Sequence, residues 1–381
     1  MKKRIFSVCM IIVVLIGTAV TGFAQPELKT PSAILMEAQT GKILYEKQPD
    51  MPLPMASITK LMTLYIAMEE MEAGTLSKED LVVGSKAAKE VGGSTIFLEI
   101  GEKMTVDDII KGICVNSGND AAVALAEKIA GSESEFVGRM NAKAQELGMD
   151  NTNYVNASGM DVDGHHSSAR DIAILSRTIL QRFPQLLEYT GIWSDTLRGG
   201  RTMLVNTNKL LKSYQYTTGL KTGTTDNAGY CISATANKDG MQLIAVIMNA
   251  PDANTRFTEA QSLLEYGYNN FEVYQALKAG EEYGDVPIEK GAKETEKAIV
   301  ANDVTVVIPK TYSDKIKKEI KLEQSVAAPV EKGAKIGELV LKAGDEVVET
   351  VDLTAAEGTN KITFFQAIGK VLSAWLSFHF K

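Results

Sequence analysis

The sequence predicts an α+β fold: an antiparallel sheet flanked by helices, a helical subdomain inserted between its strands, and a small all-β domain after it. Three observations carry this. Strand-like runs joined by glycine-containing turns lie at both ends of residues 25–273, each followed by a helix-like segment. Between them the residues follow helical periodicity and carry helix caps. Beyond about Tyr274 strand-like runs alternate with charged, glycine-punctuated stretches. Such an order suits a sheet packed by helices, and 381 residues suffice for two domains.

In chain order, Met1-Lys2-Lys3-Arg4 is a basic start, Ile5 to Val20 is almost wholly apolar, and Gly22-Phe23-Ala24 ends in small residues. That is the layout of a secretory signal peptide cleaved after Ala24, with a retained membrane helix as the rival reading. Ala33–Met36 and Lys42–Tyr45 around Gln39-Thr40-Gly41 form a hairpin pattern. Pro52 and Pro54 precede a helix that starts at Ser57, repeats apolar residues at Leu61, Leu64, Tyr65 and Met68, and stops at Gly74. Residues 81–101 read as short strands and loops. Thr105 with Asp108 and Ser132 with Glu135 are capping patterns for two helices, and a third runs from Asp120 to Ala130 and stops at Gly131. A loop over 151–166 leads into a helix over about 168–183. Strands over 219–223, 230–235 and 243–248 follow, the last two joined by Lys238-Asp239-Gly240. A helix over about 255–268 closes the first domain. The second domain, 274–360, contains strands 304–308 and 338–341 and no reactive cluster; it is there to bind, to space, or simply to support. Over 361–381, Phe364, Phe365, Ile368, Val371, Leu372, Trp375 and Leu376 share one helical face opposite Thr363, Gln366, Lys370, Ser373 and Ser377. This fits a helix lying in a membrane interface, the alternative being a terminal helix docked on its own domain.

Composition narrows the function classes. The net charge is −8, and loss of Lys2, Lys3 and Arg4 with the leader takes it to −11. An acidic chain of this kind lacks the basic patch that a nucleic-acid partner requires. His165 and His166 are adjacent, His379 is remote, and no metal-ligand spacing exists, so neither metal nor cofactor is expected. Cys9 leaves with the leader. Cys114 and Cys231 could bridge in an oxidising compartment, although each lies in an apolar run typical of a buried small hydrophobe.

Three short patterns carry chemistry. In Ser57-Ile58-Thr59-Lys60 the hydroxyl and the amine lie three residues apart on a helix and are therefore neighbours, so the amine can take the hydroxyl's proton. The helix start beside Ser57 offers free N–H groups to a developing anion. Ser117-Gly118-Asn119 falls at a helix junction and Lys221-Thr222-Gly223 on a strand. Ser-x-x-Lys and Ser-x-Asn each arise about once by chance in a chain of this length, and Lys-Thr-Gly roughly once in ten such chains. Together, each in the right structural setting, they form a signature set.

With these motifs the sequence resembles the low-molecular-mass penicillin-binding proteins, serine-type D-alanyl-D-alanine carboxypeptidases. The resemblance runs through residues 54–63, 117–122 and 167–171, and through Arg256-Phe257 ahead of Tyr266-Gly267. It implies a penicillin-binding-protein or β-lactamase-like catalytic domain and assigns roles. Ser57 is the nucleophile, Lys60 its base, and Ser117 the relay to the leaving amine. Asn119 hydrogen-bonds the substrate peptide, while Lys221 lowers the pKa of Lys60 by like-charge repulsion. Thr222 and Gly223 align substrate as an added strand, with the oxyanion held between the N–H groups of Ser57 and Thr224. Arg256 receives the terminal carboxylate. Thr224 departs from the histidine many relatives carry there, and His165 and His166 are structural loop residues.

The resemblance also implies partners: peptidoglycan stem peptides ending in D-Ala-D-Ala, β-lactams, and a membrane surface at the outer face of a bacterial cytoplasmic membrane. A serine β-lactamase, a D,D-endopeptidase and a non-turnover β-lactam sensor are the competing readings.

Overall fold

The computed structural model describes residues 25–379; the leader of residues 1–24 lies outside the described residues. The first hairpin forms as expected, with β1 (Ser32–Glu37) antiparallel to β2 (Ile43–Lys47). Its loop is held by the Glu37 carboxylate, which accepts from the Gln39 and Thr40 N–H groups at 2.9 and 2.7 Å.

A short 3₁₀ turn, Ala56–Thr59, then leads into α1 (Lys60–Glu72). The apolar spacing predicts one buried face, but every residue from Lys60 to Met68 is buried. The reason is location: α1 runs through the interior, among residues of the sheet and of the helical region, and a helix surrounded on all sides has no solvent face.

The helical subdomain contains α2 (Val106–Asn116), α3 (Asn119–Ala130) and α4 (Glu133–Glu146). Its caps work as read. The Thr105 and Ser132 side chains accept from the N–H groups of Asp108 and Glu135, and Gly131 ends α3 at φ +83°. Residues 81–101, expected as strands and loops, also include a short helix, Lys86–Glu90, capped by Ser85. After α5 (Ala169–Arg182) the chain returns to the sheet as β3 (Thr217–Thr225), β4 (Gly229–Lys238) and β5 (Met241–Ala250), and α6 (Ala253–Asn270) follows.

The five strands lie in the order β2-β1-β5-β4-β3, all antiparallel. Alternate β5 residues serve two cores. Ile244, Val246 and Met248 join the cluster containing α1 and α5, whereas Leu243, Ala245 and Ile247 join Ala260, Leu263 and Leu264 of α6. Both faces of the sheet are thus covered, so β5 is buried almost throughout. The substrate-strand candidate β3 is an edge strand with one free side.

The strand Phe271–Leu277 starts directly after α6 and crosses the expected division at 273/274. It pairs with Val304–Pro309, and a six-stranded sheet with its own core of Val286, Ala298, Val300, Leu339, Leu341 and Leu353 makes the rest of the β domain. The last element, α7 (Phe364–His379), leaves Phe364, Phe365, Val371, Leu372, Trp375 and Leu376 exposed instead of packing that face on the β domain. Among the described residues, no helix is long and apolar enough to cross a membrane. Cys114 and Cys231 are both free and buried.

Candidate active site

Ser57, Lys60, Ser117, Asn119, Lys221, Thr222, Gly223, Thr224 and Arg256, separated by up to 199 positions in the chain, converge where the start of α1 meets the α2–α3 junction and β3. Ser57 sits in the 3₁₀ turn one residue after Ala56, whose φ is +49°, a strained value for a residue with a Cβ. Two glycines allow the backbone to close on it. A Cβ at Gly159 would lie 2.0 Å from the Ala56 carbonyl oxygen, and one at Gly223 would lie 2.9 Å from the Ser57 nitrogen. Edge strand β3 is thereby brought against the Ser57 N–H.

Lys60 is fully buried, and its Nζ has three neighbours: Ser57 Oγ at 2.8 Å, Asn119 Oδ1 at 2.6 Å and the Ser158 carbonyl at 2.6 Å. Asn119 Nδ2 donates to the Gly92 carbonyl at 2.8 Å, which turns its oxygen towards Lys60. Of the three neighbours, two are carbonyl oxygens that can only accept. A neutral amine has two N–H donors and one lone pair, so its donors go to these carbonyls and the lone pair is left for the Ser57 hydroxyl. An ammonium would instead donate to all three, Ser57 Oγ included. Lys60 is held well below the usual lysine range, first by burial and second by the Lys221 charge, with Asp120 opposing. The expectation had named only Lys221; desolvation is the larger cause. Asp120 opposes it from a distance, since its carboxylate accepts from the N–H groups of Ile96, Leu98 and Ala121.

Lys221 is 1% exposed and donates to the Thr222 carbonyl at 2.9 Å; burial brings it down to about 7. Ser117 has the left-handed φ of +60°, and its buried Oγ has no hydrogen-bond partner. A buried orphan hydroxyl in a strained conformation is a group available to an incoming ligand atom. Asn119, expected to bind the peptide, has both ends of its amide engaged within the protein. Thr222 Oγ1 donates to Thr207 Oγ1 at 2.7 Å.

Arg256 is stacked 4.4 Å from the Phe257 ring and 5.5 Å from Tyr230. Its Nη1 donates to the Gly223 carbonyl at 3.2 Å and to Thr224 Oγ1 at 3.0 Å, while buried Nε has no partner. The Thr224 side chain, for which the sequence suggested no use, is therefore tied to the arginine.

His165 is structural, as expected. Its Nδ1 accepts from the Val155 N–H at 2.9 Å, so Nε2 carries the hydrogen and donates to Thr59 Oγ1 at 2.7 Å. Burial lowers its pKa to about 4, keeping it neutral. Sequence reading missed Ser158, Gly159 and Asp120. The Asn156-Ala157-Ser158-Gly159 run was a usable signal, because Asn156 Oδ1 accepts from the Ser158, Gly159 and Met160 N–H groups and shapes the turn that presents the Ser158 carbonyl.

The profile of the D-alanyl-D-alanine carboxypeptidase family (peptidase S11) matches residues 19–252, more than half the chain. This chain belongs to that family. The profile of the penicillin-binding protein 5 C-terminal domain matches residues 271–361. Among curated relatives, the D-alanyl-D-alanine carboxypeptidase DacF of Bacillus subtilis is 37% identical over 99% of this chain and 100% of that protein. Among solved structures, penicillin-binding protein 5 from Haemophilus influenzae aligns with a TM-score of 0.84 at 32% identity, covering 89% of this chain and 100% of that one. Penicillin-binding protein D2 from Listeria monocytogenes in its cefotaxime-bound form aligns with a TM-score of 0.60 at 34% identity, over 64% of this chain and 100% of that one. The first profile covers the sheet-and-helix domain and the second the β domain behind it.

Proposed function

We propose that this serine-type hydrolase removes the terminal D-alanine from peptidoglycan stem peptides ending in D-Ala-D-Ala and is acylated by β-lactams at the same serine. The observation that carries the reading is the environment of Lys60: a buried amine with two acceptor-only neighbours and one hydroxyl. Lys60 Nζ takes the Ser57 proton as Oγ attacks the carbonyl between the two D-alanines. The tetrahedral oxyanion is received by the N–H groups of Ser57 and Thr224. Ser117 passes a proton to the departing amine, the carbon–nitrogen bond breaks, and D-alanine leaves. Water then hydrolyses the Ser57 ester and restores the enzyme. Asn119 orients Lys60 beside any contact with the peptide, Lys221 keeps the field positive, and β3 pairs with the substrate through its free edge around Thr222 and Gly223. Arg256, with the Thr224 hydroxyl it polarises, supplies the cation for the terminal carboxylate.

The proposal extends to location. Cleavage after Ala24 exports the chain, residues 25–273 form the catalytic domain and 274–360 the β domain, and 361–381 anchor it by lying in the membrane interface. Lys370 and the exposed aromatic face suit that depth better than the hydrocarbon centre.

The test is direct. Protein lacking residues 1–24 and 361–381 should release D-alanine from a pentapeptide ending in D-Ala-D-Ala and carry a penicillin mass adduct on Ser57. Ser57→Ala should abolish both, a fall of roughly 10⁴-fold or more. Residual D-alanine release near the wild-type rate would remove Ser57 from the mechanism.

A further inference from the structure

The β domain holds a cavity of about 360 Å³ lined by Glu282, Asp285, Lys293, Glu296, Lys297 and Glu357 among others. Four carboxylates against two ammonium groups leave it net negative. Both oxygens of Glu282 accept from Lys297 at 2.7 Å, and Glu357 pairs with Lys293. Glu296 differs from the other acids. It is 3% exposed, its Oε1 accepts from the Glu357 N–H at 2.8 Å, and its Oε2 is buried with no hydrogen-bond partner. Lys293 Nζ forms a loose ion pair with Oε2 at 3.8 Å, too long for a hydrogen bond. Burial alternates along the strand Thr295–Val300, so Glu296 shares the inward side with Ala298 and Val300, where an apolar residue would serve the core. A buried carboxylate oxygen without a donor is costly and calls for a ligand that supplies one.

We propose that this cavity binds a primary ammonium group, and that its source is the ethanolamine headgroup of a phospholipid. A primary ammonium offers three N–H donors in one compact cation, enough for Oε2 and a neighbouring acid; a choline headgroup has none. The lipid source follows from what the cavity adjoins. The turn that carries Lys293 is tied to the segment entering α7: Ala292 N–H donates to the Asn360 carbonyl and Ile362 N–H to the Lys290 carbonyl, both at 2.9 Å. Lys370 on α7 itself pairs with Glu294 at 3.2 Å. A headgroup in the cavity and acyl chains along the exposed face of α7 would then belong to one membrane surface. The proposal rests on the reading of α7 as an interfacial helix.

The mature chain with α7 intact is floated with vesicles of ethanolamine and glycerol phospholipids, or of choline and glycerol phospholipids at the same anionic fraction. Wild type should bind the ethanolamine vesicles roughly tenfold more tightly, the scale of one hydrogen bond to a charged group. Glu296→Gln should bind both alike, with unchanged D-alanine release as the check on folding; Glu357→Gln, which disturbs the rim, should show a smaller loss. Equal binding of both vesicles by wild type, or a preference that survives Glu296→Gln, overturns the proposal. If wild type binds neither vesicle, the interfacial-helix reading fails and the lipid source with it. The ammonium site is then decided by titrating O-phosphoethanolamine in solution: saturable amide shifts at 295–297, absent in Glu296→Gln, support it, and no shifts overturn it. The same shifts with Nα-acetyl-lysine amide, without any vesicle preference, would assign the cavity to a peptide amine and overturn the lipid source.

Discussion

Lysine is used in opposite ways in the active site and in the β domain of this molecule. In the active site, Lys60 and Lys221 are at most 1% exposed and neither forms an ion pair among the described residues. In the β domain, Lys297, Lys335 and Lys342 lie at the surface, each beside a glutamate at 2.6 to 2.7 Å. Their charge is supported by neighbours, and Lys335 is held above the usual lysine range by Asp352 and Glu338. The buried pair is pushed the other way, because desolvation penalises the charged form and outweighs the opposing pull of Asp120 on Lys60. The difference teaches that an amine meant to act as a base has to be kept away from carboxylates. The one acid that reaches Lys60 electrostatically, Asp120, has its oxygens occupied by backbone N–H groups.

Variants can break this contrast, beginning with the base. Lys60→Arg should lower D-alanine release by about 10²–10⁴-fold, because a guanidinium does not deprotonate and cannot accept the Ser57 proton. In the wild type, acylation should be lost as pH falls through the folded pKa of Lys60, since protonation occupies the lone pair. That acid limb should lie well below 10.5, and a limb at the ordinary lysine value would contradict the burial argument.

Lys221→Met should impair substrate binding yet raise stability by about 3–5 kcal/mol at neutral pH in denaturant titrations. The sign follows from proton uptake. With a folded pKa of about 7 against 10.5 in the unfolded chain, the unfolded state binds the extra proton across that window, so wild-type stability rises with pH through it. The gain of the methionine variant should therefore be largest below about 7 and disappear above about 10.5.

Effects in the β domain should be smaller or separate from catalysis. Leu339→Ala, at a fully buried site, should cost about 2–4 kcal/mol in that domain's unfolding while leaving D-alanine release by the folded protein unchanged. Lys335→Ala should change the melting temperature by no measurable amount, because water screens its surface pairs.

Local features were legible because their causes are local. Thr105, Ser132 and Ser168 cap helices through bonds to the third residue onward, a spacing visible in the chain. Ser57 and Lys60 are neighbours for the same reason, one turn apart. The Lys238-Asp239-Gly240 turn between β4 and β5 follows from residues that accept positive φ, +52° at Asp239 and +84° at Gly240. What could not be read was the identity of partners 59 and 98 positions away, the Asn119 amide and the Ser158 carbonyl that take the two donors of Lys60. Nor does any periodicity announce that α1 is buried on every side, because that depends on what is packed around it.

By itself the sequence determined the elements, the order of the three motifs and the kind of chemistry they permit, since these rest on spacing, capping and side-chain type. The tertiary structure alone decided that the Lys60 amine is held well below the usual lysine range. That outcome needs burial, a second buried lysine, the Asn119 amide oxygen at the start of α3, the Ser158 carbonyl from a distant loop and a glycine at 159 that lets the backbone close on Ser57. Each is a property of the packed interior, where the low dielectric disfavours a charged amine and the acceptors are fixed in place.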